Sequence, residues 1–212
     1  DGIRDYKVTG VQTCALPIYA GTLDPLASGL LIVCTGKFTK KINEYMAQEK
    51  EYTGTITLGA VTPTYDLESA PQNFISAAGI TKADLDSAAK YFVGDIMQVP
   101  PIHSAIKQKG KPVYLLARKG KDVQLEPRKI VIRLFEITSF QHNEEQCLAS
   151  FRVVCSTGTY IRSLAHDFGQ HLGCGAYLSS LRRTRIGSYK VEDAKTMEST
   201  LEFIHDHFKK DN

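Results

Sequence analysis

The chain has 212 residues, of which 42% are hydrophobic and 23% are charged, and this composition is typical of a folded globular protein. Its formal net charge is only +3, from 26 basic and 23 acidic residues, so charge alone does not establish a nucleic-acid partner. The composition excludes a disordered chain, a collagen and a coiled coil, and no apolar run reaches the ~18 residues of a membrane span. The five cysteines are an odd number without metal-ligand spacing, which predicts reduced thiols, no metal site and a cytoplasmic location.

The N-terminal segment differs from the remainder of the chain. Its first 18 residues keep neither helical nor strand periodicity beyond a few positions. Residues 8–18, VTGVQTCALPI, resemble the translation of a common sequencing adapter. A histidine codon whose first base was lost to the last T of the adapter would be read as tyrosine, which would account for Tyr19. Asparagine and aspartate codons would give the same tyrosine. We therefore predict a non-native, unstructured leader over residues 1–18 and a single catalytic domain over residues 19–212. The alternative is a genuine but unusual leader.

Strand and helix patterns alternate from Ala20 onward. Alternating or continuous apolar runs predict strands at residues 30–34, 51–58, 128–140, 146–156 and 177–189. Helical spacing predicts helices at residues 38–46, 81–92, 112–119, 161–172 and 201–208. Thr81 and Asp84 have the spacing of a capping box at the start of the second helix. A polar turn joins the third and fourth strands into a hairpin, and hairpins mixed with separate helices predict the α+β class.

The segment at residues 21–29, GTLDPLASG, holds Asp24 between Leu23 and Pro25 and has a glycine at each end. Pro25 biases Asp24 toward an extended backbone. An acid held beside apolar residues can be desolvated, and a partner cation then sets its ionisation. The alternative is an Asx-Pro turn whose carboxylate binds only backbone amides, and the local pattern alone favours that alternative.

The segment at residues 155–162, CSTGTYIR, predicts a strand end, a turn at Gly158 and the start of a helix. A helix N-terminus presents free N–H groups that attract anions. Arg162 in the first turn is therefore a candidate counter-ion for a buried carboxylate. The alternative is a capped helix whose Arg162 faces solvent.

Two basic clusters interrupt an otherwise balanced sequence. Their members are Lys107, Lys109, Lys111, Arg118, Lys119 and Lys121 in the first, and Arg182, Arg183, Arg185 and Lys190 in the second. Cations interleaved with glycine and with Tyr114 suit a phosphate backbone. The alternative is a solvated basic face. Because the net charge is small, two such clusters imply a polarised surface, which favours RNA or DNA as the partner.

Four ordered blocks resemble the TruB family of tRNA pseudouridine synthases. They are GTLDPLASGLL with CTGKFTK, KEYTGTITLGAVTPTYD, PPIHSAIKQKGKPVYLLARKG and CSTGTYIRSLAHDFGQHLGCGAYLSSLRR, and they extend from residue 20 to about residue 191. The resemblance implies the α+β pseudouridine synthase fold, a mixed and mainly antiparallel sheet flanked by helices and loops. It also implies isomerisation of uridine 55 in the T loop of tRNA, without cofactor or metal, by a monomer that needs no protein partner or membrane.

The resemblance assigns roles to individual residues. Asp24 becomes the catalytic aspartate, Arg162 its partner, and Tyr52 the aromatic residue that stacks on the flipped base. An ionised aspartate can act as a nucleophile or stabilise a cationic sugar, and attack on the sugar or on the base both stay open. The expected substrate contacts are Tyr160 and Leu181 in the pocket, Tyr19 beside it, and Lys107, Lys109, Lys119 and Arg183 on phosphates.

The chain departs from the family pattern at both ends. The family's N-terminal strand and Lys-Pro-x-Gly-x-Ser/Thr loop are expected to be missing, with the leader in their place and Tyr19 where the family usually has histidine. A PUA domain is not expected at the C-terminal end. The alternative function is a non-catalytic RNA-binding or tRNA-folding module on the same fold. A guide-RNA-dependent synthase subunit is disfavoured by the expected lack of a PUA domain and long tails.

Overall fold

The computed structural model describes residues 18–104, 107–108, 111–112, 125–142 and 147–208. The strands in these ranges are β1 (Ile18–Tyr19), β2 (Ala27–Gly29), β3 (Val33–Cys34), β4 (Lys50–Leu58), β5 (Gly94–Gln98), β6 (Lys107–Gln108), β7 (Lys111–Pro112), β8 (Arg128–His142), β9 (Cys147–Cys155), β10 (Ala176–Ile186) and β11 (Tyr189–Lys190). The helices are α1 (Ile42–Ala47), α2 (Lys82–Tyr91), α3 (Ile161–His171) and α4 (Met197–Phe208). None of these helices is both long and apolar enough to cross a membrane.

A seven-stranded sheet forms the centre of the described structure. Its order is β11-β10-β4-β9-β8-β5, with β2 attached to β10. The β2–β10 pair is parallel and the remaining pairs of this sheet are antiparallel. Two small antiparallel pairs, β1–β3 and β6–β7, lie outside it. The predicted α+β class with a mixed, mainly antiparallel sheet is confirmed.

The hydrophobic core lies between the sheet and two helices. Helix α2 packs on β8 and α3 on β10, and the rings of Phe92 and Phe168 meet between them with centroids 6.3 Å apart. Leu85 of α2 and Phe151 of β9 are also almost fully buried. Each such side chain contributes roughly 1.5–3 kcal/mol through removal from water. This core therefore provides the rigid platform on which the ends of β10 and α3 are held.

Most of the predicted strands and helices are present, and several of them differ in extent or type from the prediction. The capping box is confirmed, since the Asp84 N–H donates to Thr81 Oγ1 at 3.3 Å and the Thr81 N–H donates to Asp84 Oδ2 at 2.9 Å. The helix predicted at residues 38–46 divides into a 3-10 turn at Gly36–Lys41 followed by α1. Neither half buries a residue, so packing does not enforce one continuous helix.

The prediction of a helix at residues 112–119 was wrong at its first residue, because Pro112 lies in strand β7. Residues 113–119 lie outside the described ranges, as do 143–145 of the predicted polar turn. The strand predicted at residues 177–189 turns at Gly187, whose φ of 55° suits glycine, and becomes the β10–β11 hairpin. Residues 1–17 of the proposed leader are also outside the described part, while Ile18 pairs with Cys34.

Candidate active site

The loop that carries Asp24 is attached to the edge of β10. Strand β2 pairs with Leu181–Arg183 in parallel, and the Leu30 N–H donates to the Arg183 carbonyl at 2.8 Å. The Ala27 N–H donates to the Asp24 carbonyl at 2.9 Å and closes a turn around Pro25. Gly29 has a φ of 107°, and a Cβ at this position would overlap the Arg183 backbone. The glycine therefore permits the close approach that holds Asp24 beside the sheet.

The carboxylate of Asp24 forms a bidentate ion pair with Arg162, the second residue of α3. Arg162 Nη2 donates to Asp24 Oδ1 at 2.8 Å, and Arg162 Nε donates to Oδ2 at 3.1 Å. The Arg162 side chain is 4% exposed and that of Asp24 is 32% exposed. Two parallel charge-assisted bonds fix the orientation of the carboxylate while one side of it remains accessible. The candidate pairing of these residues is confirmed, and neither the solvent-facing arginine nor the backbone-bound carboxylate is observed.

Two further acids face the same guanidinium, and the sequence analysis missed both. Arg162 Nη1 lies 3.4 Å from Asp66 Oδ2 and 3.9 Å from Glu68 Oε2. The Thr64 and His103 carbonyls accept its remaining bonds at 3.4 Å and 3.2 Å. The Asp66 side chain is only 5% exposed. No local pattern marks Asp66, because its contact with Arg162 arises only when the loop after β4 folds over α3.

A turn with an unusual backbone conformation places Asp66 next to Arg162. Tyr65, the preceding residue, has a φ of 64°, which is unusual for a residue with a side chain. Its ring stacks on His166 of α3, with centroids 4.0 Å apart and planes inclined by 14°. Burial lowers the pKa of His166 and favours the neutral imidazole in this stack. The Leu178 N–H also donates to the Tyr65 carbonyl at 2.9 Å, so the turn is held against both α3 and β10.

A small pocket opens beside this cluster. It is lined by Asp24, Leu26, Ala27, Asp66, Leu178, Ser179, Ser180 and Leu181. Leu181 thus lies in the pocket that contains Asp24, where the resemblance implied an apolar wall. A larger groove of about 780 Å³ lies against the same sheet, but Asp24 lines the smaller pocket and not this groove. We therefore assign the chemistry to the smaller pocket.

The two tyrosines expected at the site differ in their surroundings. Tyr52 in β4 is 8% exposed. Burial raises the pKa of Tyr52 to about 12, against the opposing charge of Arg183, so the phenol is neutral at physiological pH. Tyr160 is half-buried and precedes α3 as its N-cap residue. Stacking of Tyr52 on a base and lining of the pocket by Tyr160 both stay predictions.

Gln98 is a further residue that the sequence analysis missed. It ends β5, is 2% exposed, and binds both backbone groups of Tyr160. Its Nε2 donates to the Tyr160 carbonyl at 3.1 Å, and its Oε1 accepts from the Tyr160 N–H at 2.9 Å. The Ser163 hydroxyl donates to the Val99 carbonyl at 2.8 Å. The chain after β5 therefore anchors the start of α3, where Arg162 lies.

The phosphate contact predicted for Arg183 was wrong. Arg183 is 1% exposed, because its position on β10 points the side chain inward beneath the Asp24 loop. A guanidinium at that depth cannot reach a phosphate. On the same strand, Arg182 is exposed, whereas Arg185 Nη2 is paired with Glu49 Oε1 at 2.9 Å.

Four other predicted substrate contacts stay predictions. Tyr19 is 40% exposed in β1 and pairs with Val33. For Lys107 only the backbone, in β6, is described. Lys109 and Lys119 lie outside the described residues.

Comparison with known proteins agrees with this architecture. Residues 18–161 match the model of the TruB family pseudouridylate synthase N-terminal domain, and residues 162–211 match that of the tRNA pseudouridylate synthase B C-terminal domain. The boundary between the two matches falls inside α3, and both segments contribute strands to one sheet. The fold and the two family matches together are those of a pseudouridine synthase.

Relatives with curated names cover most of the chain. This chain is 52% identical over 176 residues to the tRNA pseudouridine synthase B of Flavobacterium johnsoniae. The match covers 83% of this chain and 75% of that protein. The chain is 45% identical over 186 residues to the protein of the same name from Phocaeicola vulgatus, covering 88% and 77%. The chain belongs to the TruB family of pseudouridylate synthases.

Solved structures give the same fold. A chain in the crystal structure of a Cbf5-Nop10-Gar1 complex has a TM-score of 0.66 and 28% identity, covering 92% of this chain and 47% of that chain. A chain in an archaeal box H/ACA sRNP Nop10-Cbf5 complex has a TM-score of 0.61 and 26% identity, covering 92% and 46%. This chain therefore spans about half the length of the solved chains that it matches.

Proposed function

We propose that this protein isomerises uridine 55 in the T loop of tRNA to pseudouridine. The observation that carries the proposal is the bidentate pair between Asp24 and the buried Arg162 at a pocket that also contains Leu181. The curated relatives at 52% and 45% identity, both named tRNA pseudouridine synthase B, support tRNA as the substrate.

The reaction rearranges bonds within one nucleotide. The bond between C1′ and N1 breaks, the uracil turns, a bond between C1′ and C5 forms, C5 loses its proton and N1 gains one. Asp24 supplies an anion at the reacting centre, as a nucleophile or as a stabiliser of a cationic sugar. Arg162 holds this carboxylate in one orientation and supplies the opposite charge beside it, through two parallel charge-assisted hydrogen bonds.

The target uridine must leave its stack to reach Asp24. Enzymes that act on a base inside folded nucleic acid turn the nucleotide outward and stabilise it by stacking. In our proposal the neutral ring of Tyr52 provides that stacking surface, and Leu181 limits the space around the base. Exposed basic side chains bind the phosphates of the T stem and loop.

We also propose that the protein acts in the cytoplasm as a monomer. The four cysteines among the described residues, Cys34, Cys147, Cys155 and Cys174, are buried and free, which suits a reducing compartment. A single chain contributes Asp24, Arg162 and Asp66, so the proposed chemistry needs no second subunit. Native mass spectrometry of the protein with and without tRNA tests the stoichiometry.

The test of the proposed function is Asp24→Asn in the full chain, assayed on unmodified tRNA transcript. The variant keeps the shape of the side chain and loses its charge, so tRNA binding should stay within about threefold while turnover falls by roughly a thousandfold or more. Pseudouridine is mapped in the T loop of the product. Asp95→Asn is the matched control, because it removes a surface carboxylate that pairs with Lys129 at 2.7 Å.

The possible results of this assay decide whether Asp24 is the catalytic residue and whether the protein is an enzyme. Near-normal turnover by Asp24→Asn would place the nucleophile elsewhere. Absence of pseudouridine with the unsubstituted protein, together with intact tRNA binding, would support the non-catalytic RNA-binding module instead. That alternative is not favoured, since the curated relatives are named as synthases.

A further inference from the structure

Arg183 is a buried cation whose position is set by two strands. It is 1% exposed, and its Cα partners across the sheet are Tyr52 on β4 and Gly29 on β2. Among the residues that the structure describes, no carboxylate forms an ion pair with it. A guanidinium removed from water in this way is stable only when its donors are satisfied.

The backbone carbonyls that accept from Arg183 all belong to the segment that carries Asp24. Its Nε donates to the Leu30 carbonyl at 2.8 Å, its Nη1 to the Thr22 carbonyl at 3.2 Å, and its Nη2 to the Gly21 carbonyl at 3.4 Å. Two of these carbonyls precede Asp24 and one follows it. A single planar group therefore ties together the two ends of the loop.

We propose that Arg183 is a positioning residue that acts through the backbone of residues 21–30 to hold Asp24 at the reacting centre. This inference rests on the proposed function and assigns Arg183 to that same site. Asp24 is held on two sides, by Arg162 at its carboxylate and by Arg183 at the ends of its loop. Removing either support displaces the carboxylate, and a displacement of about 1 Å is enough to lower turnover by roughly a hundredfold.

The same guanidinium connects Asp24 to Tyr52. Burial raises the pKa of Tyr52, and the positive charge of Arg183, its Cα partner across the β4–β10 pair, opposes that rise. One fixed group therefore orients the loop that carries the acid and lies across the sheet from the tyrosine expected to stack on the base. A planar guanidinium has several donors in fixed directions, whereas a lysine ammonium offers a single point of attachment.

The experiment compares Arg183→Met and Arg183→Lys in the full chain. Turnover and KM are measured on unmodified tRNA at a temperature where each variant is folded. Arg183→Met should lower kcat by about 30- to 100-fold with KM within about threefold, and Arg183→Lys should lose roughly tenfold in kcat. Amide hydrogen exchange at Ala27 and Leu30 should accelerate at least about tenfold in both variants.

Two controls separate positioning from general effects. Leu85→Ala removes a fully buried side chain of α2 and reproduces a loss of stability. Arg152→Met removes a cation from β9 that pairs with Glu51 at 3.0 Å, and therefore reproduces a loss of charge. Neither control should change exchange at Leu30 or lower kcat by more than about threefold.

The outcomes distinguish this inference from the proposed function. Wild-type kcat in Arg183→Lys, or loop exchange unchanged in a folded Arg183 variant, would overturn the positioning role. A fall of kcat in Arg183→Met no larger than in Leu85→Ala would also overturn it. Absence of pseudouridine with the unsubstituted protein would overturn the proposed function, and the exchange measurement would still decide whether Arg183 holds the loop.

Discussion

The guanidinium of one residue, Arg162, faces the carboxylates of three acidic residues. Arg162 is nearly inaccessible and lies within 4 Å of carboxylate oxygens from Asp24, Asp66 and Glu68. Removing one partner of a buried pair typically costs about 3–5 kcal/mol, because the remaining charge is left without compensation. Asp66 therefore stabilises the guanidinium in one orientation, and Asp24 remains the member whose two oxygens both accept from it.

Asp167, also on α3, allows a prediction of pH dependence. Burial raises the pKa of Asp167 from 3.8 to about 6. Between these values the folded protein holds a proton that the unfolded chain has released, so stability falls as pH rises through about 4 to 6 and stays lower above. Asp167→Asn should raise the free energy of unfolding at pH 7.5 by about 1–2 kcal/mol, discounted for partial exposure. At pH 4 it should change little.

Urea unfolding at the two pH values measures this difference. Asp86→Asn is the control, because the Asp86 side chain is 42% exposed and pairs with Lys82 at 2.6 Å on α2. An effect of Asp167→Asn that is equal at pH 4 and pH 7.5 would show that burial of its charge is not the cause.

At the element scale, the start of α3 is held by the chain that follows β5. Gln98 binds both backbone groups of Tyr160, Ser163 binds the Val99 carbonyl, and Arg162 binds the His103 carbonyl. The first turn of a helix has N–H groups without intrahelical partners, so its geometry depends on such external contacts. Arg162 lies in this turn, so the direction of its side chain depends on how Tyr160 is anchored.

Gln98→Met should therefore affect both stability and turnover. It keeps most of the side-chain volume and leaves the N–H and carbonyl of Tyr160 unpaired, which should lower the free energy of unfolding by about 2 kcal/mol. We expect kcat to fall about tenfold as Arg162 shifts. Thr81→Ala is the matched control, since it removes the capping box of α2 at a cost of about 1 kcal/mol away from the pocket. Thermal unfolding and steady-state kinetics decide, and wild-type kcat in Gln98→Met would contradict the anchoring role.

At the scale of the whole molecule, the charge distribution predicts how tRNA binds. The structure removes Arg183 from the set of phosphate contacts and leaves Arg182 and Lys190 exposed on the β10–β11 hairpin. The contacts predicted for Lys107, Lys109 and Lys119 belong to the first basic cluster. Binding to tRNA is therefore expected to depend strongly on ionic strength.

The triple variant Lys107→Gln, Lys109→Gln and Lys119→Gln should weaken tRNA binding and reduce its salt dependence. Each lost phosphate contact lowers the slope of log K against log salt by about 0.7–0.9, so the total change should be about 2–3. Filter binding between low and physiological salt measures the slope. Lys82→Gln is the control, because Lys82 is already paired with Asp86. An unchanged slope would assign the three lysines to a solvated surface.

The proposed leader, residues 1–18, is expected to contribute little to stability. We expect deletion of residues 1–18 to change Tm little, because an adapter translation has no reason to match its hydrophobic pattern to this core. Grafting a family-type N-terminal block with histidine at position 19 should raise Tm and turnover together. Thermal unfolding and pseudouridine mapping test both statements, and unfolding caused by the deletion would contradict the first.

Local patterns alone determined several elements of this protein. The long alternating runs predicted the β8–β9 hairpin, the apolar spacing predicted α3, and Thr81 with Asp84 predicted the start of α2. These features depend on residues a few positions apart, so periodicity and capping chemistry are sufficient. The four ordered blocks likewise identified the family and its candidate pair, Asp24 and Arg162.

The tertiary structure alone decided which other polar side chains join that pair. Asp66 reaches Arg162, Gln98 reaches Tyr160, and Arg183 binds carbonyls more than 150 residues away in sequence. Strand β10 pairs with β4 through irregularities between Leu178 and Ser180 and between Arg183 and Arg185. Such bulges change which face a side chain occupies, so a count along the sequence cannot assign the inward arginine. Burial of Arg183 and exposure of Arg182 follow from strand pairing, which is a property of the assembled sheet.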